Sequence, residues 1–177
     1  MSVISYAKKT NNCIELNSVT VTPNVLEILS CCRFGNTMNH DWSVDGKTDA
    51  IYFSLSKGIE LCGLLSCVCL DGLSTCDVIV TVKHNTTYLI VVTDTIDSKL
   101  AENKMVKIEF KKPIKLLANN KYHVGVVMQG PRCYAGSDGQ TVVDSNGVVF
   151  TFDNSPFCNN GTDTGRRSDS WIVIQNV

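Results

Sequence analysis

Apolar residues recur at every second position through most of this chain, and turn dipeptides cut the runs into short lengths. In Lys104 to Phe110, KMVKIEF, the residues Val106, Ile108 and Phe110 alternate with Lys107 and Glu109, the pattern of a strand with one buried and one wet face. Similar runs occupy Ala50 to Leu55, Cys76 to Val82, Tyr88 to Val92, Tyr122 to Met128, Val148 to Phe152 and Trp171 to Ile174. Between them stand Asp45-Gly46, Asp71-Gly72, Asn119-Asn120, Gly130-Pro131, Asp138-Gly139, Asn146-Gly147 and Asn160-Gly161, residue pairs that supply the left-handed or fixed φ values of tight turns. Many short strands with no long amphipathic helix imply an all-β fold, an antiparallel β-sandwich. The one helical candidate is Pro23 to Ser30, where Thr22 would cap, Pro23 would open the first turn, and Val25, Leu26 and Leu29 would share a face.

At 177 residues the chain is long enough for one substantial core, and no low-complexity stretch divides it. Residues 1–30 read as a partly ordered N-terminal lead and 31–177 as a single sandwich domain. Lysine plus arginine (16) and aspartate plus glutamate (17) leave a formal charge of -1, so no overall field draws the chain to nucleic acid. The start, MSVISYAKKTNNC, has neither the charged nor the apolar region of a leader, and no window reads as a membrane span. Nine cysteines are an odd number, which fits a reducing compartment better than a secreted disulfide framework. The expected location is cytoplasmic, and the glycosylation-type triplets at Asn85 and Asn160 then read as unmodified turn residues.

Four of the cysteines fall in one apolar stretch, GIELCGLLSCVCLDGLSTC, from Gly58 to Cys76. As one strand, alternation sets Ile59, Leu61, Gly63, Leu65, Cys67 and Cys69 on one face and Cys62, Leu64, Val68 and Leu70 on the other. Cys67 and Cys69 would then have α-carbons about 6.5–7 Å apart with parallel Cβ vectors, at the limit for a disulfide. The spacings also miss the C-x2-4-C knuckle of a structural zinc site, which would need a further ligand such as Cys31-Cys32. Free cysteines filling a doubly covered strand, a cysteine-rich core, is the preferred reading, with no metal and no cofactor expected.

Catalytic patterns are equally thin. A Cys31, His40, Asp41 trio can be drawn, but a surface-loop histidine is the commoner case, and no nucleophile elbow, phosphate loop or H-E-x-x-H is present. Asp41, Ser43, Asp45 and Gly46 imitate half of a calcium loop, yet Tyr52 stands where the bidentate Glu belongs. Lys104, Lys107, Lys111, Lys112 and Lys115 read as the wet face or blunted edge of a strand, with contact to an acidic partner as the alternative. What remains is a set of loops rich in Gly, Asn and Asp: Phe34 to Gly46 with Trp42, Pro131 to Gln140 (PRCYAGSDGQ) and Cys158 to Arg167 (CNNGTDTGRR). Loops on a rigid sandwich often carry binding. Trp42 is either an anchor for a partner or a plug over the end of the core.

The order of several motifs resembles PHR domains, the modules of the Pam, Highwire and Rpm ubiquitin ligases that also close BTB-BACK proteins. They are CRF at Cys32, Trp42, DAIYFSLSKGIELCGL from Asp49, Gly130-Pro131, YAGSDGQ from Tyr134, GVVFTF from Gly147 and NNGTDTG from Asn159. The resemblance covers about residues 31–176 and implies a PHR-type β-sandwich, no enzyme activity, and docking of a protein partner or substrate for a ubiquitin-ligase assembly. The family's Trp-Gly is Trp42-Ser43 here, and its Gly-Gln-Ile-Pro run is replaced after Gly165 by Arg166-Arg167-Ser168. No BTB, BACK or RING pattern is read, so the chain is expected to recognise rather than ligate, as the C-terminal part of a BTB-BACK-PHR protein would. The expected partner-binding residues are Trp42, Arg132, Tyr134, Ser137, Asp138, Gln140, Asn160, Thr162, Arg166 and Arg167, with Trp42 and Tyr134 giving apolar contact and the arginines charge-assisted hydrogen bonds. A small-ligand or carbohydrate-binding sandwich is the alternative suggested by the same loops.

Overall fold

The structure, a computed structural model, describes residues 2–10, 13–21, 28–164 and 171–175. The described elements are strands β1 (Ser2–Thr10), β2 (Cys13–Val21), β3 (Ile28–Cys31), β4 (Phe34–Trp42), β5 (Asp45–Leu55), β6 (Ile59–Cys67), β7 (Thr75–His84) and β8 (Thr87–Asp97), then a 3-10 turn, Ser98–Leu100. They continue as β9 (Met105–Leu116), β10 (Lys121–Gln129), β11 (Cys133–Gly139), β12 (Val142–Ser145), β13 (Val148–Asn154) and β14 (Trp171–Gln175). A six-stranded sheet, β12-β13-β5-β10-β7-β8, faces a four-stranded sheet, β3-β14-β6-β9. Two further pairs, β4 with β11 and β1 with β2, complete an all-β, antiparallel architecture. No described helix is long and apolar enough to cross a membrane.

Alternation fills the sandwich as the sequence suggests. Val78, Val80 and Val82 of β7, Tyr122, Val124 and Val126 of β10, and Ile51, Phe53 and Leu55 of β5 point into one core with Leu61, Leu64, Ile108 and Leu116 of the facing sheet. Phe53 lies 6.4 Å from both Phe150 and Phe152 and 5.7 Å from Tyr122, centroid to centroid. Each such ring pair adds about 0.5–1.5 kcal/mol beyond its buried area. At the β12–β13 turn Asn146 and Gly147 both take positive φ, 53° and 77°, the two-residue hairpin turn that the Asn-Gly pair announces.

Three expectations are corrected. Ile28 to Ser30 is not helical: it belongs to β3, whose ladder to Gln175, Ile174 and Val173 outweighs a weak local helix pattern; residues 22–27 lie outside the described residues. Phe34 to Trp42 and Cys133 to Gly139 are not loops but paired strands, Phe34 opposite Gly139 and Cys133 opposite Trp42. Their Gly and Asn content hid them, and it has a use, since a Cβ at Gly136 would meet the Phe34 ring at 2.6 Å. The cysteine strand also ends at Cys67 and carries a bulge. Val173 and Ile174 of β14 pair with Gly63 and Leu61, leaving Cys62 extra. One extra residue flips the faces, so Ile59 and Leu61 point inward before it and Leu64 and Val68 after it.

Candidate functional site

The end of the sandwich that carries β4, β11 and the segment after β13 is organised around a buried carboxylate that the sequence reading passed over. Asp49, 4% exposed, points inward from β5. It accepts hydrogen bonds from Trp42 Nε1 at 3.2 Å, Asn160 Nδ2 at 3.0 Å and Thr162 Oγ1 at 2.5 Å. Burial raises its pKa, and the hydrogen bonds from Thr162, Asn160 and Trp42 work against that rise. Asn160 also donates to the Ser43 carbonyl at 3.1 Å, and Asn159 holds Thr48 through backbone and side chain at 3.0 and 2.6 Å. Trp42 is 8% exposed, packs in the core, and lies beside Gly161, whose φ of +83° carries the turn across it.

Arg33 does the same work for the next stretch. The whole residue is 1% exposed, its guanidinium donates to the carbonyls of Thr164 at 3.0 Å and Asp163 at 3.1 Å, and it lies 4.2 Å from the Phe34 ring centre. Burial lowers its pKa to about 10, with Asp163 opposing the shift, so the cation persists at neutral pH. The Arg33 carbonyl in turn accepts from Gln140 N at 2.7 Å. Thus the CRF motif ties the 163–164 segment to the end of β11.

The expected partner-binding residues fall into three places. Trp42, Asn160 and Thr162 meet at Asp49. Ser137, Asp138 and Gln140 lie at the far end of β11, where Asp138 (φ 57°) and Gln140 are exposed and Ser137 Oγ donates to Asp138 at 3.3 Å. Arg132 and Tyr134 lie at the other end, about 13 Å away at strand spacing. There Tyr134 donates to the Leu70 carbonyl at 3.4 Å under the Lys104 ammonium. Arg166 and Arg167 lie outside the described residues.

Other surfaces were not foreseen. On the outer face of the six-stranded sheet His123, 5% exposed, lies edge-on to Tyr52 and Phe157, both at 5.4 Å, and among the described residues no group hydrogen-bonds either ring nitrogen. Burial and then Lys83 lower its pKa. A cleft of about 560 Å³ runs between the edge strands β8 and β9, with Val91 on one wall and Lys111, Lys112 and Pro113 on the other. The lysine run is an edge as read: Lys107 pairs with Glu109 at 2.6 Å and Lys111 and Lys112 face solvent. Cys31 is buried, and its thiol is pushed up to about 12 by desolvation, so it is a poor nucleophile at neutral pH. Among the described residues one group sets three metal-ligating atoms within 4.8 Å of one another: Cys69, Cys76 and Cys133.

Comparison with known proteins finds that residues 32–168 match the PHR domain family. No curated protein matches the chain.

Proposed function

Because the chain belongs to the PHR domain family, whose members are non-catalytic protein-interaction modules, we propose that it docks a partner or substrate for a ubiquitin-ligase assembly, of the BTB-adaptor or large-ligase kind. The observation that carries this reading is the locking of residues 159–164 onto the sandwich through Asp49 and Arg33. A segment held by side-chain hydrogen bonds to two buried charges loses little conformational entropy when a partner arrives. The docking residues are the exposed ones beside it, Asp138 and Gln140 with half-buried Ser137, joined by Arg166 and Arg167 as charge-assisted donors. Arg132 and Tyr134 extend the face along β11, while Trp42 and Thr162 act by holding the platform in shape.

The carbohydrate reading is weaker on chemical grounds. A sugar site needs amide and hydroxyl groups free to face the ligand, whereas Asn159, Asn160 and Thr162 are already engaged inside the protein. The test is affinity capture from cell lysate with mass spectrometry, comparing wild type with Asp138→Arg, Gln140→Ala and Arg166→Ala, each checked for unchanged thermal unfolding. Ligase components or their substrates should be captured by wild type and lost at least tenfold in the variants. Absence of such proteins from the wild-type capture removes the ubiquitin-ligase reading. Undiminished capture by all three variants removes the placement.

A further inference from the structure

Three thiols from three separated segments meet at the turn that follows β6. Cys69 lies two residues past that strand, Cys76 is the second residue of β7 and Cys133 opens β11. All three are 0% exposed. Their Sγ atoms lie 2.8 Å (Cys69 to Cys76), 3.5 Å (Cys76 to Cys133) and 3.9 Å (Cys69 to Cys133) apart. The 3.5 and 3.9 Å separations are those of ordinary sulfur contacts or weak S–H···S hydrogen bonds; what sets the group apart is that three metal-ligating atoms lie within 4.8 Å of one another in a buried place.

We infer that Cys69, Cys76 and Cys133 form a binding site for one thiophilic d10 metal ion, with zinc(II) the ion of the class that fits a non-redox role. A tetrahedral zinc with metal–sulfur bonds of about 2.3 Å spaces its sulfurs by about 3.8 Å. Two edges of the observed triangle lie within a few tenths of an ångström of that value, and the third opens by about 1 Å. The Pro131 carbonyl oxygen, 3.4 Å from Cys133 Sγ and 3.8 Å from Cys76 Sγ, brackets the edge of about 3.6 Å expected for an oxygen at the fourth corner.

The surrounding backbone holds the three segments in register without the ion. Leu70 N donates to the Arg132 carbonyl at 3.0 Å, Tyr134 N to the Val68 carbonyl at 3.0 Å, and Cys69 N to Ser98 Oγ at 3.1 Å. Gly130 is packed so closely that a Cβ would stand 2.7 Å from Cys76 Sγ. Binding releases the thiol protons to solvent and leaves three thiolates on the metal, with no electron transferred. The alternation of the Gly58 to Cys76 stretch gave no hint of this site, because its third sulfur comes from a different segment. A Cys69–Cys76 disulfide would use two of the sulfurs and neither Cys133 nor the carbonyl, and would require an oxidant.

The test uses the full chain, purified reduced and without oxygen. Cobalt(II) titration should produce the thiolate-to-cobalt charge-transfer band and tetrahedral d–d bands. Zinc should displace the cobalt, and elemental analysis should find one zinc per chain. Cys62→Ser, at the bulge and outside the cluster, should behave as wild type, whereas Cys133→Ser and Cys76→Ser should each weaken zinc at least tenfold. If a serine variant is poorly folded, the wild-type protein still decides: its melting temperature should rise with zinc and fall back with chelator. Absence of the charge-transfer band, equal zinc in wild type and Cys133→Ser, or a Cys69–Cys76 disulfide in reduced-purified protein would each overturn the site. Loss of the cobalt bands with cuprous ion as the tighter competitor would assign the same ligands to copper(I).

Discussion

Asp49 shows how one side chain can decide the shape of a surface that it does not reach. Its two oxygens take three donors from two segments, β4 and residues 159–164, so truncation leaves Trp42, Asn160 and Thr162 facing a void. Stranded buried donors lose about 1–3 kcal/mol each, and Asn160 keeps its bond to Ser43. Asp49→Ala should therefore destabilise the protein by about 2–4 kcal/mol in urea unfolding and release amide protection over residues 159–164. His123 makes a different prediction. Its folded pKa is lowered below the ordinary 6.5 by burial and by Lys83, so below that pH the unfolded chain takes up a proton that the folded chain refuses. Stability should fall as pH drops from about 6.5 towards the folded value and be flat above it. His123→Phe, which keeps the edge contacts with Tyr52 and Phe157, should flatten the profile between pH 5 and 7 relative to wild type in calorimetry. Neither role is legible in the sequence. Asp49 reads as one more residue at the head of DAIYF, and His123 as a strand-end histidine, because both depend on what lies across the sheet. Trp42, by contrast, offered anchor or plug in the sequence, and at the end of β4 it is buried with its indole N–H bonded to Asp49.

At the scale of elements, strands with strong alternation could be read and strands built on backbone alone could not. The runs around Val78 to Val82 and Val124 to Met128 carry their buried faces in the residue pattern. The pairing of β4 with β11 rests on Gly35, Asn36, Gly136 and Gly139, residues that signal loops, and is specified instead by what must fit between strands. The bulge at Cys62 is likewise invisible until β6 is laid against its neighbours, since one unpaired residue has no compositional mark. It sits beside Gly63, where an added Cβ would collide with the Ile108 carbonyl and stand 3.3 Å from Glu109 Cα. Backbone cannot swing aside as a flexible side chain does. Gly63→Ala should therefore cost about 1–3 kcal/mol and raise the unfolding rate. Gly72→Ala is the contrast: nothing lies within 4 Å of a Cβ there, and only its φ of +65° is strained, so about 1 kcal/mol is expected. Denaturant titration of the two variants separates collision from strain.

For the whole molecule the order of strands in the smaller sheet matters most. The last described strand, β14, is not at an edge: it lies between β3 and β6, and it is the one ladder partner of β3 among the described strands. The sandwich is closed by joining residues 28–31 to 171–175, the costliest kind of contact for a chain to find early. A chain ending at Thr164 would leave β3 without a ladder and the bulged face of β6, with Leu61 and Leu64 behind it, open at an edge. Such a chain should show no cooperative unfolding transition and should bind a hydrophobic dye. The opposite end predicts the opposite result. Among the described strands β1 and β2 form a ladder with each other and with no third strand, so removing residues 1–21 should leave a cooperative transition within a few degrees of the full chain by calorimetry. A large loss of stability in that deletion would mean that the hairpin contributes to the core, and would move the start of the domain from β3 to β1. The two deletions together locate the folding unit by cooperativity, because a strand inserted between two others cannot be lost by degrees, whereas a self-paired hairpin can.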